Sequence, residues 1–436
     1  MTQQSISQVT TNPPSQQACP QCQAPIPVNP EFVSWCDKCD WNLKPDVVAQ
    51  DVSVFDSLYL KLGQRLGQDL LDTMLAKPTA RPRITVSVLL AVGVAALVHL
   101  STLLFAMLGL VLLVQDWPNV FLIASGLLCL AIAWKLRPEF SRMPSDIASP
   151  QDFPTLYAIT NRVAQHLGAQ PVSAIAVDRQ FNASFSQIGL RRRSVVRIGL
   201  PLFAILTSEE KVALLAHEVA HGVNHDPLRG WFVGTAVNTL KRWTYLLKPT
   251  RPRVGDGSEV GCLAVMSTIT SRLVLGVLSI VPWLLGYVLV QLLWRDSQRA
   301  EYLADSLAAR ASGTTAMLGL LEKLRYIGTF EHIVQQLALG RPKDGQAELV
   351  PALRQRVAAL PARELERLRR VELFDDTLQD ASYPPKTYRV RYLQAHPVTH
   401  PAVQIWPDEA ARLERELLAL QPRIQRELVD AYRNQL

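Results

Sequence analysis

The chain has 436 residues, 48% hydrophobic and 19% charged, more than one average domain needs and too apolar for a disordered or purely polar protein. The net charge of +7 is modest and is explained by basic residues flanking apolar segments, so no nucleic-acid partner is expected. Four of the six cysteines cluster near the N-terminus, and Cys129 and Cys262 stand alone in apolar surroundings, so no disulfide framework is implied.

Residues 1–18 are rich in Gln, Ser, Thr and Pro and are expected to be disordered. They lack a basic start followed by an apolar core, so they do not read as a cleaved signal peptide, and the N-terminal end is expected in the cytosol. Within 19–45 stand Cys19-Pro-Gln-Cys22 and Cys36-Asp-Lys-Cys39. Each C-x-x-C bends as a knuckle that presents two thiolates, and four thiolates close a tetrahedral shell suited to one structural zinc. So short a segment buries little apolar surface, and metal binding would supply its folding energy. Unligated thiols or a redox pair are the alternatives, and the duplication of the knuckle favours metal.

Over 53–76, Phe55, Leu58, Tyr59, Leu62, Leu66, Leu70 and Leu71 recur at helical spacing. This amphipathic helix either packs against protein, the commoner use, or lies on a bilayer. In 84–136, the uncharged run Ile84 to Val114, the loop Gln-Asp-Trp-Pro-Asn and the uncharged run Val120 to Trp134 predict a two-span hairpin. Lys77, Arg81 and Arg83 precede it, Lys135 and Arg137 follow it, and the loop carries Asp116 alone, so both ends are expected in the cytosol.

Beyond it the chain turns soluble over 150–215, the first part of a core expected over 150–312, with a helix near Phe153 to Leu167, a strand over Val172 to Val177 and another at Val195-Val196-Arg197-Ile198 after a basic tip, Arg191 to Arg193. Helical patterns dominate from Ser208, and 313–436 is a helical region broken at Tyr383-Pro384-Pro385 and His396-Pro397. The expected fold is mainly α with a small β-sheet, a transmembrane hairpin and a small N-terminal zinc ribbon.

The chemistry concentrates where Ser208, as N-cap, and Glu209-Glu210 open a helix running into His217-Glu218-Val219-Ala220-His221. Histidines four apart share a helix face, so both imidazoles can reach one zinc, with Glu218 beside them as the base for water. Downstream, Glu301 and Asp305 lie four apart in Glu301-Tyr302-Leu303-Ala304-Asp305. Glu301 would complete a His-His-Glu site with one position open, and Asp305 would orient a ligating imidazole through its other nitrogen. His225, two turns beyond His217, is a rival third ligand if Gly222 bends the helix.

His217 to His221 preceding Glu301 to Asp305, behind a two-span hairpin, resembles the family containing the HtpX membrane protease and the CAAX prenyl endopeptidases. The resemblance covers roughly Phe153 to Ile405. It implies a zincin-like peptidase fold, one catalytic zinc besides the structural one, protein or peptide substrates, and a multi-pass place in a bacterial inner membrane with the catalytic domain and ribbon facing the cytosol. Asn182-Ala183-Ser184-Phe185 resembles the family's Asn-Ala-Phe segment ahead of an edge strand, which implies that 182–199 borders the cleft and pairs with extended substrate. Thr399-His400-Pro401 resembles a C-terminal Thr-His-Pro whose histidine stabilises the oxyanion; the arginine usual six residues on is Trp406 here, and a plain turn histidine is the alternative. The cysteine module is an addition to the family's core and reads as an accessory for docking a substrate or partner.

Because His217, His221 and Glu301 must meet, the chain between them crosses the bilayer an even number of times. The partner for apolar Leu273 to Trp294 would be Gly230 to Leu247, which contains Lys241 and Arg242, so 273–294 is expected to be buried in protein or to dip into the membrane. The sequence thus points to a membrane-anchored zinc endopeptidase, and the competing reading is a non-catalytic adaptor that keeps the fold and binds partners through its ribbon.

Overall fold

Strand β1 (Gln16–Ala18) pairs antiparallel with β2 (Pro25–Pro27) beside the cysteine knuckles, so order begins inside the tail expected to be disordered. The computed structural model describes residues 16–30, 32–44, 67–76, 85–115, 117–138, 142–189, 191–224, 231–247, 262–341, 346–376 and 384–435. Residues 1–15, the first part of the amphipathic helix at 53–66, Lys77, Arg81, Arg83, Asp116 and His225 lie outside them.

The rest of that helix, α1 (67–76), buries Leu71 and Met74 in the main core, and the Tyr388 hydroxyl donates to Gln68 Oε1 at 3.0 Å. Its apolar stripe is therefore covered by protein.

Helices α2 (Val86–Val114) and α3 (Val120–Leu136) form the hairpin. They cross at Gly109 and Gly126, where a Cβ on either would come within 2.9 Å of the other's carbonyl oxygen, the close approach that small residues allow between membrane helices. Most of their remaining apolar side chains are exposed.

The sheet has the order β3 (Ile147–Ala148), β4 (Ala174–Asp178), β6 (Arg193–Gly199) and β5 (Ala183–Ile188). β4 runs parallel to β6 and is buried over four consecutive residues, as expected of a strand covered on both faces. β5 is antiparallel to β6 and lies at the sheet edge. Helix α4 (Pro154–His166) packs near α6 (Ser208–Val223), and α5 (Leu200–Ile205) links β6 to it. The cap of α6 is Thr207, one residue before the serine expected: Thr207 Oγ1 accepts from Glu210 N, and Glu210 Oε2 accepts from Thr207 N, a capping box.

Helix α7 (Trp231–Leu247) packs against α2 and against α8 (Cys262–Ser312), one continuous helix of 51 residues. Val233, Ala236 and Leu240 of α7 meet Leu289 and Leu293 of α8 and Ala91, Ala95 and Val98 of α2. Burial of 273–294 in protein is not found. That stretch is apolar on every side, protein covers only one stripe of it, and Leu273 (66% exposed) and Trp283 (57%) stand outside. Both α2 and the α8 segment Leu273–Ser312 are long and apolar enough to cross a membrane.

The helical region after α8 wraps the core as α9 (Thr314–Lys323), α10 (Ile327–Ala338), α11 (Leu349–Ala358), α12 (Ala362–Asp376), α13 (Lys386–Ala395), α14 (Pro407–Leu418) and α15 (Gln421–Arg433).

Candidate active site

The capping box fixes where α6 starts and so where His217 and His221 fall on its buried face, opposite α8. Their Nε2 atoms lie 3.2 Å apart. His217 Nε2 is 3.4 Å from Glu301 Oε2, and His221 Nε2 is 3.4 Å from Glu301 Oε1. A tetrahedral ion with bonds of about 2.0–2.1 Å needs its ligand atoms about 3.4 Å apart. The two imidazoles thus face the two oxygens of one carboxylate at distances suited to such an ion with a position left open, one donor atom of each residue lies within 4.8 Å of the others, and all three side chains are buried.

Behind them, Asp305 Oδ1 is 3.0 Å from His217 Nδ1, on the far side of the ring from the Nε2 that faces Glu301. Arg389 of α13 donates to both Asp305 oxygens, at 2.7 and 2.6 Å, and lies 3.5 Å from Glu301 Oε2. Burial alone would push the Asp305 carboxyl up; the adjacent guanidinium holds it below the usual carboxylate range. Burial likewise works against Glu301 ionisation, and His221, His217 and Arg389 together hold its carboxyl well below that range. With Glu218, the site gathers three carboxylates against one guanidinium, an excess of negative charge that a divalent cation would offset. Arg389 carries no local signal in the sequence, because 84 residues separate it from Asp305 and it sits in an ordinary helix.

Glu218 opens onto a cleft of about 490 Å³, lined by Asn182, Ala183, Ser184 and Phe185 on one side and by Leu214, Met317, Leu320, Leu321 and Leu324 on the other. Asn182 leads directly into β5, so Ala183 and Ser184 are the first residues of the edge strand itself. His400 is not among the lining residues. Its segment is pinned to the far end of α8 by bonds from Val403 N to Ala311 O (2.9 Å) and from Thr314 N to Val398 O (2.9 Å), and the histidine is exposed. Arg310, whose carbonyl accepts from Ala402 N, is nine residues beyond Glu301, about 13 Å along the helix. The oxyanion role implied for His400 is therefore not supported by its position.

In the N-terminal module, Cys19 and Cys39 Sγ are 3.7 Å apart and Cys22 and Cys36 Sγ are 3.5 Å apart, and all four lie within 4.8 Å of one another. Thiolates on one zinc at about 2.3 Å are about 3.8 Å apart, so these fit a closed tetrahedral shell. The module docks on α11 and α12. Arg363 and Arg370 flank the buried Trp35 ring at 4.8 and 5.0 Å, Arg367 donates to the Leu43 carbonyl at 2.9 Å, and Arg356 stacks over Phe32 at 4.7 Å.

Against known proteins, a model described as peptidase family M48 matches residues 150–402. A protein named protease HtpX from Stutzerimonas stutzeri (strain A1501) is 30% identical over 188 residues, 40% of this chain and 60% of that protein. Another from Pseudomonas putida (strain W619) is 31% identical over 186 residues, 40% and 59% of the two chains. A protease HtpX homolog from Thiobacillus denitrificans is 29% identical over 181 residues, 39% and 59%. The chain thus matches about three fifths of the length of these relatives, and no solved structure matches it. The family match spans more than half of the chain and contains α6, the end of α8 and Arg389: this chain belongs to peptidase family M48.

Proposed function

We propose that the protein is a membrane-anchored zinc metalloendopeptidase acting on protein substrates. The observation that carries this reading is the convergence of the His217 and His221 Nε2 atoms on the Glu301 carboxylate, with Glu218 beside them at the cleft. His217, His221 and Glu301 hold the ion, and Asp305 Oδ1, 3.0 Å from His217 Nδ1, favours the tautomer and ring orientation that leave Nε2 free to ligate. Zinc bound there supplies Lewis-acid polarisation of a scissile carbonyl and a more acidic water. Glu218 takes the proton of the attacking water and passes it to the leaving amine. The open edge of β5, from Asn182, Ala183 and Ser184, holds the substrate backbone extended. The cysteine module holds a second, structural zinc.

The uncovered apolar faces of α2, α3 and α8 are met by lipid, and the basic residues at the end of α3 keep the catalytic side in the cytosol. Substrates are membrane or membrane-proximal proteins, misfolded or regulatory. The test is zinc content and casein cleavage by detergent-purified protein, wild type against Glu218→Gln. Two zinc ions per chain in both forms with cleavage in wild type alone supports the reading. Cleavage that survives the substitution removes Glu218 as base, and a single zinc that vanishes with the cysteines favours the non-catalytic adaptor.

A further inference from the structure

The turn between β5 and β6 carries Arg191, Arg192 and Arg193, all exposed, and none has an ion-pair partner among the described residues. Two independent sets of contacts aim this turn at the membrane helices. First, β5 advances in the same direction as α6: Ala183 lines the cleft with His217, and Phe185 lies against Gly222, where a Cβ would come 2.7 Å from its ring. The strand therefore runs toward the end of α6 that leads to α7, and α7 packs on α2, α8 and β5 itself. Second, Met143, seven residues after the end of α3, packs against Ala174, Ile188 and Val195, at the strand ends beside the turn. Exposed Lys135 and Arg142 lie on the same exit path from α3. The arginines thus stand at the sheet end nearest α7 and the segment that follows α3, and Arg192 occupies the left-handed region (φ 49°) where Gly or Asn is the usual choice.

We propose that the Arg191–Arg193 tip docks on anionic phospholipid headgroups and holds the open edge of β5 against the bilayer surface. Guanidinium forks match phosphate oxygens in pairs, and each basic side chain at an anionic surface shifts the contact equilibrium about fivefold. If β5 binds substrate, the extended segment then enters from the membrane side; that consequence rests on the proposed peptidase function, and the lipid contact does not.

The test is amide hydrogen exchange over 186–196 in the full-length protein, reconstituted in nanodiscs of phosphatidylcholine alone or mixed with phosphatidylglycerol. The tip is expected to exchange at least fivefold more slowly in the anionic bilayer, an effect lost at high salt and in the triple variant R191Q/R192Q/R193Q while β4 and β6 exchange as before. Equal exchange of the wild-type tip in the two bilayers overturns the proposal, whatever the variant does. So does slowing that survives in the triple variant.

Discussion

The two donor clusters of this molecule differ in the way that, on the proposed function, would separate a working metal site from a structural one. Four thiolates of the N-terminal module surround one point and leave no position for a substrate. Two imidazoles and one carboxylate on α6 and α8 surround another, leave one position open, and have Glu218 beside a cleft. The supports differ as well. The thiolates sit on knuckles that bury few side chains besides Ile26 and Trp35, whereas the triad is set in the main core and held from behind by Asp305 and Arg389. Loss of the metal should therefore unfold the first locally and silence the second.

The sharpest test of that contrast sets two variants of the open site against one of the closed site. Glu218→Gln is expected to lower peptide cleavage by about 10²–10⁴-fold with both metals retained. His221→Ala should cost at least as much activity and leave one zinc per chain. Cys36→Ser should also leave one zinc per chain, yet keep cleavage within about threefold of wild type, because the module lies on α11 and α12 and lines no part of the cleft. A Cys36→Ser protein without activity would show that the closed site is wired to the open one.

Next in size is Arg389→Gln. Breaking a buried charge pair costs about 3–5 kcal/mol, because Asp305 is left without its counter-charge. Asp305, the group behind His217, stays but loses what holds it in place, so metal binding is expected to weaken by about tenfold, the low end of what losing such a group outright would cost. Both are measurable, by thermal unfolding of the solubilised protein and by zinc retention against a competing chelator. Unchanged stability and zinc retention would mean that Asp305 finds another partner.

These cases mark what the sequence makes legible. His217, Glu218 and His221 are written in a five-residue helical period, and Glu301 with Asp305 in another, so the motif and its downstream partner could be read locally. The sequence points to Ser208 as the cap of α6, one residue late, since Thr207 and Ser208 are chemically alike and only the reciprocal bond to Glu210 separates them. Arg389 was not legible, because its role depends on α13 crossing α8. Nor was the exposure of 273–294: hydropathy does not say whether protein or lipid covers a helix. His400 was placed by resemblance, and the bonds that pin 398–403 to the end of α8 hold it away from the cleft.

The smallest effect concerns the docking of the module. Trp35 is buried, with the guanidinium carbons of Arg363 and Arg370 each about 5 Å from its ring. Arg363→Ala removes one of these cation–π contacts and a donor to the Trp35 carbonyl, together worth about 1 kcal/mol. The metal shell itself is untouched, so the variant should keep two zinc ions and wild-type cleavage of casein. Limited proteolysis within 19–44 should become about fivefold faster, as the module leaves α12 more often. Faster proteolysis with zinc retained makes docking a separate equilibrium from folding of the module. Loss of zinc on the same substitution would mean that the arginines of α12 are part of what folds it, and the two donor clusters would then share one scaffold.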